Sequence, residues 1–150
     1  MGLWQVPVHS QSSIKLCWEA CGRMLWDWRF KSLAGYNGQA GTFLNVATGL
    51  NESQMDVFYT QLGLRGLSAP QGKNLRHALS WTPVIFTNVN QATGHAMVLA
   101  GFNRLTRKYT VVNPCLYETV DFDSGGDSCS AGTALRTVNE VEDSLGGRMW

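Results

Sequence analysis

Cys17 stands six residues after Gln11 and opens the apolar-periodic run of QSSIKLCWEACGRMLWDW, which reads as a helix. A thiol attacks only as thiolate, and a free cysteine is ionised to only a few per cent at neutral pH, so its setting decides whether it reacts. A helix N-terminus favours the thiolate through its backbone N–H groups and partial positive charge, by at most ~2 kcal/mol, or about 1.5 pKa units. A basic partner is still required.

Three histidines are available, His9, His77 and His95. His9 lies in an irregular N-terminal stretch and His77 in the middle of the helical NLRHALSW, where a solvated or capping role suits it. His95 differs: it follows Gly94 and leads an apolar run, then a polar turn over residues 103–108, then a second apolar run that ends at Asn113. Read as a hairpin, the runs pair residues whose numbers sum to about 208 to 211, which sets Asn113 within a few residues of His95. A carboxamide oxygen there accepts the imidazole N–H and fixes its tautomer and direction, the third role in a Cys–His–Asn constellation. Gln11 completes the set, because acyl transfer needs donors aimed at the developing oxyanion.

The elements that must position these groups fall in two blocks. Helices come first: from Leu16 to about Phe30, then NESQMDVFYTQLG with Asn51 or Ser53 as cap and Gly63 as stop, then NLRHALSW before Pro83. The glycine-rich AGYNGQAG between the first two reads as a loop. Strands follow in PVIFTNV, HAMVLAGF, KYTVVNP and ETVDFD, each rich in β-branched or aromatic residues. SGGDSCSAG reads as a loop, and TALRTVNEVEDS fits a strand or a helix equally. Such segregation predicts an α+β architecture with helices packed on an antiparallel sheet.

A chain of 150 residues without repeats or linkers fits one domain over 1–150. Net charge is +1 and the twelve Lys and Arg are scattered, which argues against nucleic acid as a partner. Neither a signal peptide nor a membrane-length apolar stretch is present, so the chain reads as soluble, with no membrane partner. The four cysteines lack zinc spacing, and neither a metal nor a cofactor is expected. Cys115 and Cys129 flank LYETVDFDSGGDS; they close into a bridge or remain free thiols, the cytosolic default.

On these residues the chain resembles the papain-like cysteine peptidases. The matching elements are Gln11 and Cys17–Trp18 opening a helix, Gly94–His95–Ala96 opening a strand, and Val112–Asn113–Pro114 closing the next. The resemblance implies a papain-like fold with the cysteine helix first. It further implies Cys17 as nucleophile, His95 as general base and acid, Asn113 as orienter and Gln11 as oxyanion donor, with Trp18 and Gly94 beside the substrate. Ile14, Lys15 and Leu16 replace the C-G-S that precedes the nucleophile in papain and the cathepsins, and the chain is shorter than theirs. Its size and its CWEAC helix are more similar to bacterial papain-fold effector proteases and to the peptidase domains that process bacteriocin leaders after Gly-Gly. Those domains usually carry aspartate as the third member.

The implied activity is a cysteine endopeptidase cutting a protein or peptide after a glycine-containing site. A toxin or effector setting follows: cytoplasmic in its producer, delivered into a target cell as the C-terminal domain of a longer protein, and countered by an immunity protein. Papain-fold peptidoglycan amidases or deamidases share the chemistry, and an inactive peptide-binding module shares the fold. Gly146–Gly147, after Glu140 and Val141, echoes a double-glycine leader and otherwise reads as a plain turn.

Overall fold

The computed structural model describes residues 3–12, 15–68, 72–88, 95–114, 132–143 and 145–150. The first helix, α1 (Cys17–Phe30), leads a helical block of α2 (Tyr36–Ala40), a 3-10 turn (Gly41–Asn45) and α3 (Glu52–Gln61). Then come β1 (Leu67–Ser68), α4 (Gly72–Leu79), β2 (Val84–Asn88), β3 (His95–Asn103), β4 (Lys108–Asn113), β5 (Gly132–Thr137), α5 (Val138–Glu142) and β6 (Leu145–Met149). The strands form one six-stranded sheet in the order β1-β6-β2-β3-β4-β5, with every pairing antiparallel. The architecture is α+β, as the segregated patterns predict.

Both faces of this sheet are covered, which explains why β3 is buried at every position from His95 to Phe102. Against one face, Ala96, Val98, Ala100, Ile85 and Val112 pack with the α1 and α3 side chains Trp18, Cys21, Met24, Phe58 and Tyr59. Against the other, Met97, Leu99, Phe86 and Val111 pack with Leu75 and Leu79 of α4 and Val141 of α5. α1 and α3 approach closely at Gly22, where an added Cβ would stand 2.8 Å from both Leu62 and Phe58. A glycine inside a helix costs roughly 0.5–1 kcal/mol relative to alanine, and the contact with α3 accounts for it here.

Three segments depart from the sequence reading or resolve a choice it left open. AGYNGQAG is not a loop throughout: Gly35, at φ 81°, admits the chain into α2, and Tyr36 and Ala40 bury against the core. TALRTVNEVEDS is strand and then helix, because Thr137 and Glu140 form a reciprocal capping box that starts α5 where β5 stops. Gly146–Gly147 is no turn; it lies within β6, between β1 and β2. The chain end is tied down beside it, with the Ile85 N–H donating to the Trp150 carbonyl at 2.6 Å and the Trp150 N–H to the Ile85 carbonyl at 3.0 Å. The ETVDFD strand, most of the SGGDSCSAG loop and the pairing of Cys115 with Cys129 lie outside the described residues.

Candidate active site

α1 starts at Cys17 without a side-chain cap: Leu16 precedes it and contributes only its carbonyl, which accepts from the Ala20 N–H at 3.2 Å. The first N–H groups of a helix have no partner within it. Here those of Cys17 and Trp18 point to the Cys17 sulfur, and the Ala96 N–H donates to the same Sγ at 3.4 Å from the start of β3. Burial pushes the Cys17 thiol above its ordinary range, and the three backbone donors, led by Ala96, oppose that rise. The lowering expected from the helix terminus is therefore present but outweighed by desolvation.

His95, 2% exposed, bonds to Asn113: Nε2 lies 2.7 Å from Asn113 Oδ1. Amide oxygen only accepts, so Nε2 carries the proton and donates, which leaves Nδ1 as the basic nitrogen of a neutral ring. Burial pushes His95 below its ordinary value, and the bond to Asn113 partly restores it.

The hairpin register shows how the pair is aligned. Near the turn Phe102 faces Tyr109 and Asn103 faces Lys108, whereas deeper in the sheet Leu99 faces Val111 and Val98 faces Val112. The pairing slips by one residue between Leu99 and Gly101, so Ala100 is a bulge. A one-residue slip exchanges the faces of a strand. Continued past the bulge, the register sets Asn113 opposite Met97, on the face of His95; without it Asn113 would share the face of Ala96 and Val98 and point toward the α1 core. The Ala100 carbonyl accepts from the Trp4 N–H at 2.8 Å, which ties the N-terminal segment to the bulge.

Gln11 is 1% exposed, and its backbone N–H donates to the Pro114 carbonyl at 2.8 Å, one residue beyond Asn113. The backbone thus sets these residues close through a chain of contacts: Cys17 opens α1 against the Ala96 N–H, and His95 precedes Ala96 on β3 and bonds Asn113. Gln11 is tied to Pro114, next to Asn113 at the end of β4. Trp18 does not face a substrate path. Its ring is 1% exposed, packs edge-on against Phe58 at 4.9 Å and Phe43 at 6.3 Å, and donates its indole N–H to the Thr48 carbonyl at 3.0 Å. Large aromatic area drives that burial. Gly94 lies outside the described residues. His77 is exposed on α4, and His9 bonds to Asp27 at 2.9 Å, so neither joins the site.

Sequence reasoning missed the Ala96 N–H on the thiol and the polar group behind it, in which Glu19 accepts from Tyr36 at 2.6 Å and pairs with Arg23 at 3.2 Å. The i,i+4 spacing of Glu19 and Arg23 on one helix was the available signal. No group of three or more His, Cys, Asp or Glu that could hold a metal occurs among the described residues. Nor is any described helix long and apolar enough to cross a membrane.

Comparison with known proteins agrees with the fold. The family described as papain-like cysteine protease AvrRpt2 matches residues 2–119. Among solved structures, the peptidase domain of Streptococcus ComA, a bi-functional ABC transporter involved in a quorum-sensing pathway, superposes with a TM-score of 0.68. That match covers 97% of each chain at 13% sequence identity, and shows a shared fold. No curated protein matches the sequence. With residues 2–119 matched, the chain belongs to the papain-like cysteine proteases of the AvrRpt2 family.

Proposed function

We propose that this cysteine protease is an endopeptidase that forms an acyl-enzyme on Cys17 and cuts a protein substrate after a glycine, as a bacterial toxin or effector domain comprising residues 1–150. The observation that carries the site assignment is the 2.7 Å bond from His95 to Asn113 together with the Ala96 N–H on the Cys17 sulfur. His95 Nδ1 takes the thiol proton as sulfur attacks the scissile carbonyl carbon. The oxyanion is met by the Gln11 amide and the Cys17 backbone N–H, and His95 returns the proton to the leaving amine. Water, deprotonated by the same nitrogen, then hydrolyses the thioester and frees Cys17.

The glycine preference rests on the resemblance to double-glycine processing domains and on the fold shared with the ComA peptidase domain. A subsite too narrow for a Cβ before the cut would admit glycine alone, which makes this preference physically coherent. The chain's own Gly146–Gly147 lies within β6, between β1 and β2, so the substrate glycine is assigned to another protein.

The test is N-terminal labelling and mass spectrometry of a bacterial lysate treated with the protein, with Cys17→Ala as control. New termini preceded by glycine, and formed only by the wild type, are expected. Equal termini from Cys17→Ala would remove Cys17 as nucleophile. No new termini from a folded wild type would transfer the chemistry to cell-wall amides or side-chain amides.

A further inference from the structure

The segment that carries Gln11 has no helix or strand of its own over residues 3–12, yet an oxyanion donor must be held to a fraction of an ångström. What holds it is visible in one peptide group. The Ser10 carbonyl and the Gln11 N–H belong to the same planar unit. The carbonyl accepts from Arg23 Nη2 at 3.1 Å, on the helix that bears Cys17, while the N–H donates to the Pro114 carbonyl at 2.8 Å, at the end of the strand that bears Asn113. One rigid unit is thereby pinned to both halves of the site.

We infer that Arg23 is a positioning residue for Gln11, clamping the Ser10–Gln11 peptide to α1 so that the Gln11 side chain meets the oxyanion formed at Cys17. Arg23 is itself fixed. Its guanidinium lies 3.2 Å from Glu19 Oε2 through Nε and 3.3 Å from Oε1 through Nη2, and Tyr36 donates to the same carboxylate at 2.6 Å. Glu19 is 9% exposed, so the carboxylate is walled into the core and directs the guanidinium to Ser10. A fork-shaped cation satisfies both the carboxylate and the carbonyl at once; a lysine's single nitrogen serves them less well. Tyr36 thus supports, through Glu19 and Arg23, a peptide group 26 positions earlier in the chain.

This inference rests on the proposed acyl transfer at Cys17 and deepens it. The experiment compares wild type, Gln11→Ala, Arg23→Met and the double variant on the best-cleaved peptide from the lysate profile, with iodoacetamide alkylation of Cys17 measured in parallel. Loss of an oxyanion donor lowers kcat by about 10²–10³. Gln11→Ala is expected to fall in that range, and Arg23→Met to fall by at least about tenfold but no further than Gln11→Ala. KM and the alkylation rate should stay near the wild-type values, because neither involves an oxyanion. In the double variant the Arg23 change should add nothing, and Arg23→Lys should recover part of the loss.

Multiplying losses in the double variant, or alkylation that falls together with kcat, would overturn the inference, since Arg23 would then act on the thiol or the fold. Glu19→Gln combined with Arg23→Met removes the unpaired buried charge; kcat restored in that variant would also overturn it. Failure of the acyl-transfer reading shows itself separately, as cleavage retained by Cys17→Ala.

Discussion

On the α1 side of the site, burial pushes Cys17, Cys21, Tyr36 and Tyr59 above their ordinary values; on the hairpin side it pushes His95 below its own. The cause is the same in both places. Desolvation disfavours the charged form, so acids rise and bases fall. Burial therefore favours an uncharged thiol on α1 and an uncharged imidazole on the hairpin. The two sides also differ in how they are held: α1 is fixed by aromatic packing, whereas His95 is directed by one hydrogen bond.

The largest effect expected from breaking the α1 side is that of Trp18→Ala. Removing a buried tryptophan costs about 3–5 kcal/mol, and here it also strips the indole bond to Thr48 and the packing on Phe58. Urea unfolding should show that loss. Trp18→Phe, by contrast, should leave KM unchanged, because the ring faces the core; a KM shift with Tm intact would restore it to the substrate path.

Next in size is the response of stability to pH. The raised groups on α1, α2 and α3, together with Tyr109 on β4, contribute stability that is fully present below their unfolded values, 9.0 for the thiols and 10.0 for the tyrosines, and that is lost as pH rises through the folded ones. His95, depressed, contributes stability present above its unfolded value of 6.5 and lost as pH falls through its folded value. A plateau between about 6.5 and 9.0 with a steep alkaline edge is the expected profile of Tm. His95→Ala should flatten the part of the acid slope that His95 supplies and leave the alkaline edge; loss of the alkaline edge instead would break the division between the two sides.

Sequence alone carried the two sides to different depths. The α1 stripe of Cys17, Ala20, Cys21, Met24 and Leu25 is periodic, and the hairpin's apolar runs around a polar turn confine the register to a few sums, so both elements were legible. The Ala100 bulge was not. Its effect is a single-residue slip that no composition signals, although it decides whether Asn113 shares the face of His95. Arg23 and Ser10 were invisible as a pair because a side chain bonding a backbone carbonyl thirteen residues away leaves no periodic trace. The thiol was legible as a residue and misjudged as an acid: the helix start is local, but the desolvation that outweighs it comes from distant segments. The strands β1 and β6 went unread for a related reason, since two and five residues that pair across the chain carry little signal of their own.

The hairpin side has the smaller but more specific test. Asn113→Ala removes one hydrogen bond, worth about 0.5–1.5 kcal/mol net, so kcat/KM should drop by roughly two- to tenfold rather than vanish. The direction of its pH effect is more informative than its size. Because the bond to Asn113 raises His95 against the pull of burial, its removal lets His95 fall further. The acid limb of kcat/KM, where the imidazole must lose its proton to act as base, should move to lower pH. Asn113→Asp places a carboxylate against the ring and should move the same limb to higher pH, since an opposite charge favours the imidazolium. If both variants shift the limb in the same direction, the 2.7 Å bond does not set the ring's proton affinity. Opposite shifts, with the alkylation rate of Cys17 changing less than kcat/KM, would show that the hairpin tunes the base while α1 holds the thiol.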